Sequence, residues 1–117
     1  MIKTIVQNLI NGSMMGAIYA LIALGLSIVY GVMNVVNFAH GDFVMLSMYF
    51  TFWVATLMRW DAVATPLLTF PLLFIIGIFT YYAIIDRTLR QIYVTQIAVT
   101  VGLQTLLRAL TQVIWKA

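Results

Sequence analysis

A small group of polar residues interrupts an otherwise apolar stretch of this chain. Amide side chains beside a glycine, which leaves its backbone accessible, suit hydrogen bonding in a cavity or the capping of a broken helix. The same residue types are ordinary in a polar turn at a membrane surface, so the residues alone leave both interpretations open. The group, called the polar break below, occupies positions 34–42 and contains Asn34, Asn37, His40, Gly41 and Asp42.

Catalysis by the polar break is not expected. A metal site needs more ligands than one His and one Asp, and the chain has a single His. A Ser–His–Asp relay needs a serine held against His40, and no motif supplies one. The chain also has no cysteine, which excludes a thiol nucleophile and a cysteine metal site. The sequence predicts no catalytic residue, no metal site and no enzyme.

Composition indicates where these residues must work. The chain has 117 residues, of which 64% are hydrophobic and 8% charged, whereas a soluble domain is about half apolar and about a quarter charged. We therefore predict an integral membrane protein. The six cations behind the net charge of +3 are scattered, which is typical of topology markers and excludes a nucleic-acid surface.

The predicted fold is all-α, a single transmembrane domain over residues 1–117 with about four membrane-spanning helices. The first 36 residues after Lys3 carry no charge, which is too long for the apolar region of a cleaved signal peptide, so we expect an uncleaved first span. The polar break is either helical or re-entrant backbone. Two prolines, Pro66 and Pro71, predict a kink or late start in the third helix. The predicted helices cover 9–31, 43–58, 63–85 and 91–115.

Small residues form a stripe along the first helix at spacings of four and three. Helices in a bilayer associate by close backbone approach, which small side chains allow. Glycine and alanine are common in membrane helices, but six in register favour packing inside a bundle or subunit interface. This small-residue stripe consists of Gly12, Gly16, Ala20, Ala23, Ser27 and Gly31.

A polar ridge follows the last helix, with one member every four residues. Exposure of such groups to lipid is costly, so the ridge should face protein or water, and we expect its glutamines to make interhelical hydrogen bonds. For Arg108 the interpretation favoured from sequence is snorkelling to the interface near Trp115. The alternative is pairing with an acid or a substrate carboxylate deeper in the membrane. The ridge consists of Gln96, Thr100, Gln104, Arg108 and Gln112.

The stretch NGSMMGAIYALIALGLSIVYGVMNVVNFAHGDFVMLSMYF, residues 11–50, resembles the opening of the permease subunit of branched-chain amino acid ABC importers. The shared elements run in order: N-G, G-x-x-Y-A-L-I-A-L-G-L, V-Y-G, then N-F-A-H-G with a following acid. Downstream, IIDRTLRQ is similar to a family element but lacks its Tyr-Arg-Pro. Thr100, Gly102 and Leu103 resemble T-x-G-L, and Arg108 stands where the family usually has Gln.

The resemblance implies that several subunits share the transport function. An extracytoplasmic binding protein would deliver a neutral aliphatic amino acid, and this chain with a second permease subunit would form the path by alternating access. Two cytoplasmic ATPase subunits would hydrolyse ATP, so no cofactor is expected on this chain itself. The implied location is the cytoplasmic (inner) membrane of a bacterium or archaeon. The polar break would shape the path or the break between the first two helices.

Two other function classes stay open at this point. One is a small secondary carrier or channel that self-associates through the small-residue stripe, although all three Asp residues lie at predicted helix ends rather than within spans. The other is a non-transporting membrane assembly protein. Family permeases are more than twice as long as this chain, which we expect to be a fragment, a truncated reading frame or a half-length protein. The charge distribution does not settle the membrane orientation.

Overall fold

The computed structural model describes residues 1–61 and 63–116, and these are helical or lie in short connections, with no strand among them. The helices are α1 (Ile2–Met33), α2 (His40–Met58), α3 (Pro66–Thr80), α4 (Asp86–Thr88) and α5 (Tyr93–Trp115). A π-helical turn, Tyr81–Ile85, joins α3 to α4, so helix runs without interruption from Pro66 to Thr88. The all-α prediction is confirmed.

Four helical stretches in the described part of the chain are long and apolar enough to cross a membrane. Their mean hydropathies lie between 1.3 and 2.1. At 1.5 Å per residue, the 19 residues of α2 reach about 28 Å, while the 32 residues of α1 reach about 48 Å, against an apolar core of about 30 Å. The stretches are Ile2–Met33, His40–Met58, Pro66–Thr88 and Tyr93–Trp115.

The sequence placed the helix centres correctly and several boundaries wrongly. The first helix begins at Ile2 instead of residue 9 because Lys3 and the amides after it are compatible with helix. Helix α2 begins at His40 instead of Phe43, and α5 begins at Tyr93. The expected late start of the third helix is confirmed at Pro66, which occupies the first turn, where its missing N–H costs nothing.

The helix ends follow local backbone chemistry. Helix α1 stops where Asn34 takes the left-handed conformation, at φ 53°, which asparagine tolerates better than most residues. Its N–H donates to the Tyr30 carbonyl at 2.8 Å. Arg59 ends α2 in the same conformation, with φ 51°. Asp86 and Arg87 lie after the predicted helix 63–85, but the structure places them in the last turn of the third helical stretch.

The chain divides into two compact units, Met1–Asn34 and Val35–Ala117. The first is the single helix α1, which has no buried residue. The second contains α2 to α5 around a small apolar cluster. That cluster consists of Ala39, Leu46, Leu103 and Leu107, with Phe43, Phe50, Leu73, Ile76 and Ile84 packed against it.

Threonine hydroxyls supply much of the buried polarity of the second unit. In each of the six buried threonines the hydroxyl donates to the carbonyl four residues earlier in the chain, at 2.7–3.1 Å. Such bonds satisfy the hydroxyl without a partner on another helix. The residues are Thr65, Thr69, Thr80, Thr88, Thr100 and Thr111.

Candidate functional site

The polar break is not helical before its last three residues. Helix α1 ends at Met33 and α2 begins at His40, so Asn34 to Ala39 form a non-helical connection. Of the two backbone interpretations of the sequence, the helical one is therefore wrong for this connection. Asn34 itself caps α1, as described above.

Asn37 builds the turn that starts α2. Its side-chain Oδ1 accepts the N–H of Ala39 at 3.0 Å, and its carbonyl accepts the N–H of His40 at 3.1 Å. Asn37 is 8% exposed and Ala39 fully buried, so the hydrogen bond between them replaces bonds that these groups would otherwise make to water. A buried N–H left without a partner costs about 1–3 kcal/mol. An asparagine at this position therefore stabilises the start of α2 inside the protein.

The other residues of the polar break lie in the first turn of α2. His40 is half-buried and Gly41 is exposed, and a Cβ added to Gly41 would meet no atom within 4 Å. Asp42 is the third residue of the helix and is 3% exposed. A carboxylate in the first turn is favoured by the partial positive charge of a helix N-terminus.

Asp42 pairs with Arg108 of α5, 66 residues further along the chain. The Arg108 Nε–H donates to Asp42 Oδ1 at 2.8 Å, a length typical of a charge-assisted hydrogen bond. The Asp42 side chain is 4% exposed and that of Arg108 is 59% exposed. Asp42 Oδ2 is buried and has no hydrogen-bond partner in the described part of the chain.

This pair supports the alternative interpretation of Arg108. The guanidinium bonds to the acid at the start of α2, and snorkelling to an interface stays a prediction. The contact was missed as a specific pair because nothing in the sequence gives the register of α2 against α5. One signal was available: Asp42 and Arg108 are the only charged residues in these two helices.

Contacts between α2 and α5 place Asp42 beside the second half of α5. Asp42 meets Arg108, and about two turns later Tyr49 and Phe50 meet Trp115, with ring centroids 5.1 and 5.9 Å apart. The residue numbers of the contacting pairs rise together along both helices, so α2 and α5 run parallel. Arg108 lies fifteen residues after Tyr93, about 22 Å along the axis. Helix α2 therefore starts within the length of α5 rather than level with its beginning.

The polar ridge divides between buried and exposed members. Thr100 is 2% exposed and bonds to carbonyls of its own helix. Gln96 donates to the Gln91 carbonyl at 3.2 Å, a local bond instead of the interhelical one expected. Gln104 is half-buried and Gln112 exposed. Only Arg108 of the ridge reaches the polar break.

The small-residue stripe lies on the surface of α1. Its six residues are exposed, and a Cβ added at Gly12, Gly16 or Gly31 would meet no atom within 4 Å. The described residues therefore show an open face, and packing of this face against another helix stays a prediction.

In the part of the chain that the structure describes, no group of three or more His, Asp, Glu or Cys residues could hold a metal ion. The buried polar contacts instead comprise a capping amide and one acid–base pair at an interior helix end. Such an arrangement can hydrogen-bond a polar solute or fix a helix start.

Comparison with known proteins shows the family of this chain. A family model described as the branched-chain amino acid transport system / permease component matches residues 8–117. The chain is 46% identical over 52 residues to the high-affinity branched-chain amino acid transport system permease protein BraD of Pseudomonas aeruginosa. It is 44% identical over 48 residues to LivH of Escherichia coli, of the same description. No solved structure matches the chain.

These matches are partial in length. The stretch shared with BraD covers 44% of this chain and 17% of that protein, and the stretch shared with LivH covers 41% and 16%. The matched sequence thus spans about a sixth of the relatives. The family model covers nearly all of this chain and its four apolar helices fit a multi-pass membrane protein; the chain belongs to the family of branched-chain amino acid transport permease components.

Proposed function

We propose that this chain is a membrane-spanning part of the permease subunit of an ATP-driven importer for branched-chain or other neutral aliphatic amino acids. The observation that carries the proposal is the family match over residues 8–117. The relatives BraD and LivH bear the name of high-affinity branched-chain amino acid transport. An aliphatic amino acid is a small zwitterion, so its path needs polar groups within the membrane.

The polar break is the part of the chain best suited to that path. In support, Asn37 and Asp42 are buried, and Asp42 bonds to Arg108 in the second half of α5, a helix long enough to span the bilayer. Irregular backbone at membrane depth is tolerated where it is buried in protein or lines a water-filled cavity. Broken helices of this kind form the substrate sites of several transporter classes. Alternating access would expose the break to one side of the membrane at a time.

The remaining functions of the importer belong to partner subunits. The proposal requires a second permease subunit, cytoplasmic ATPase subunits that bind and hydrolyse ATP, and an extracytoplasmic substrate-binding protein. The assembly would lie in the cytoplasmic membrane of a bacterium or archaeon. Within this division the present chain contributes helices to the path and no nucleotide site.

A secondary carrier is the main competing function. Ion-coupled carriers use acids within their spans, and the Asp42 carboxylate does contact α5, a helix long enough to span the membrane. That carboxylate is already paired with Arg108 at 2.8 Å, so the charge is balanced within the chain. This pairing favours a structural role for Asp42 over ion coupling.

Uptake by the purified complex in proteoliposomes tests the proposal. We expect accumulation of radiolabelled leucine that requires the binding protein and internal ATP and that stops with a non-hydrolysable ATP analogue. An imposed proton or sodium gradient without ATP is the matched control. Uptake driven by that gradient alone would replace the importer with the secondary carrier. A stable complex that binds no amino acid would indicate an assembly protein.

A further inference from the structure

We propose that Arg108 is a positioning residue, which holds the interior start of α2 against α5 so that the polar break keeps a fixed place along the path. The inference rests on the proposed function, because the path is the amino-acid path of the proposed importer. The contact itself is independent of it, since it joins two helices of the same compact unit.

The first step of the argument is charge balance. Asp42 is 3% exposed, and its Oδ2 atom has no hydrogen-bond partner among the described residues. Among the described residues, Arg108 is the one whose side chain hydrogen-bonds this carboxylate, by donating to Oδ1. Removing one partner of a buried ion pair leaves an uncompensated charge, whereas removing both does not. Asp42 thus depends on Arg108 more than on any other residue described.

The second step is direction. The small apolar cluster of this unit also joins the two elements, since it contains Ala39, just before α2, and Leu103 and Leu107 of α5. Apolar contacts are non-directional and permit small rotations of a helix. A charge-assisted hydrogen bond fixes both distance and orientation. The Arg108–Asp42 bond is therefore the contact that sets the rotation of the first turn of α2, and with it the position of Gly41 and the turn at Asn37.

The third step concerns the cost of the arginine itself. Its position, seven residues before Trp115, is about 10 Å along the axis, close enough for the long side chain to reach the interface. The guanidinium instead engages Asp42 through Nε, and the described residues give its two Nη groups no partner. We would not expect an arginine whose side chain served only to place its charge at the membrane interface to bond to a buried carboxylate.

A cysteine at position 41 reports directly on the start of α2. The chain has no native cysteine, Gly41 is exposed, and its Cβ position is open to 4 Å, so Gly41→Cys adds a single thiol with little disturbance. The complete transporter carrying Gly41→Cys would be labelled in membranes with a small charged methanethiosulfonate reagent. The rate would be compared among Arg108→Gln, Arg108→Lys, Asp42→Asn combined with Arg108→Gln, and Arg90→Gln, which removes an exposed arginine outside the spans.

We expect Arg108→Gln to change the labelling rate at least about fivefold, and the neutral double variant to return it to within about twofold of the parent. Arg108→Lys should lie between them, because it keeps the charge and loses the planar donor. Arg90→Gln should label like the parent.

An unchanged rate in Arg108→Gln at equal membrane abundance would overturn the positioning role. If Arg108→Gln alone fails to reach the membrane, recovery of both abundance and labelling in the double variant supports the role, and failure of the double variant overturns it. Labelling needs no transport. Absence of ATP-driven leucine uptake in the parent would therefore contradict the proposed function and leave the positioning result intact.

Discussion

Helix α1 and the segment from Val35 to Asp42 are neighbours in sequence and opposites in burial. The helix has 32 residues and buries none. The segment has eight, and four of them are at most 8% exposed: Val35, Asn37, Ala39 and Asp42. The more apolar region is thus the more open one, and the more polar region is the more enclosed.

The difference shows what hydrophobicity means in a membrane chain. In water, apolar residues mark the interior of a domain. In a bilayer they mark surface that lipid can cover, because lipid tails are as apolar as leucine. Polar groups must find hydrogen-bond partners within the protein, so they mark the places where parts of the chain contact each other. The polar break is such a place, whereas the exposed surface of α1 is suited to contact with lipid or with another helix.

The largest expected effect comes from removing apolar contacts in the enclosed region. Leu46→Ala should destabilise the purified transporter by about 2–4 kcal/mol, because Leu46 is 7% exposed and belongs to the apolar cluster. Leu24→Ala on α1 is the matched control, since Leu24 is 57% exposed. Thermal unfolding followed by loss of monodisperse complex measures both. Equal shifts for the two variants would remove the contrast between the regions.

The next effect concerns the capping amide. Asn37→Ala removes the acceptor of the buried Ala39 N–H, which should cost about 1–3 kcal/mol and lower leucine uptake more than it lowers membrane abundance. Asn11→Ala, at an exposed amide of α1, should leave both within about twofold of the parent, since a surface substitution changes stability by less than about 0.5 kcal/mol. His40→Ala should follow Asn37→Ala in direction. If uptake and membrane abundance fell by the same factor, the polar break would have only a structural role.

The smallest effect on the chain itself is expected at the small-residue stripe. A Cβ added at Gly16 would meet no atom within 4 Å, so Gly16→Leu should leave the fold of this chain unchanged, and we expect any defect to arise where α1 meets a partner. We expect loss of the assembled complex on native gels, because a branched side chain prevents close backbone approach. Gly16→Ala, which adds one methyl group, should assemble. Normal assembly of Gly16→Leu would place the stripe in contact with lipid.

Hydropathy was enough to predict the class of fold and the four apolar helices. It also placed the interruption at residues 34–42, because Asn34 and Asn37 carry known turn chemistry. The backbone there remained ambiguous until Asn34 was seen in the left-handed conformation. The ends of α1 and α2 were misplaced because His40 and the residues from Ile2 to Asn8 fit a helix as well as a connection.

The pairing of Asp42 with Arg108 lay beyond sequence reasoning. It depends on the register of two parallel helices, and apolar helix faces constrain that register weakly. The same holds for the contact of Trp115 with Tyr49. The π-helical turn at Tyr81–Ile85 likewise has no hydropathy signal, since it changes the hydrogen-bond spacing and leaves the composition unchanged.

The buried threonines have a mechanical consequence. Each carries its hydrogen bond to a carbonyl four residues earlier, so the bond travels with the helix when the helix moves. Between helices, the hydroxyls of Thr51 and Thr69 approach only to 3.5 Å. Helices whose polar groups are satisfied internally can slide past one another without breaking and remaking bonds, so the energy barrier between packed arrangements stays low. The Arg108–Asp42 hydrogen bond, in contrast, joins two helices, so sliding of α2 along α5 would have to break it.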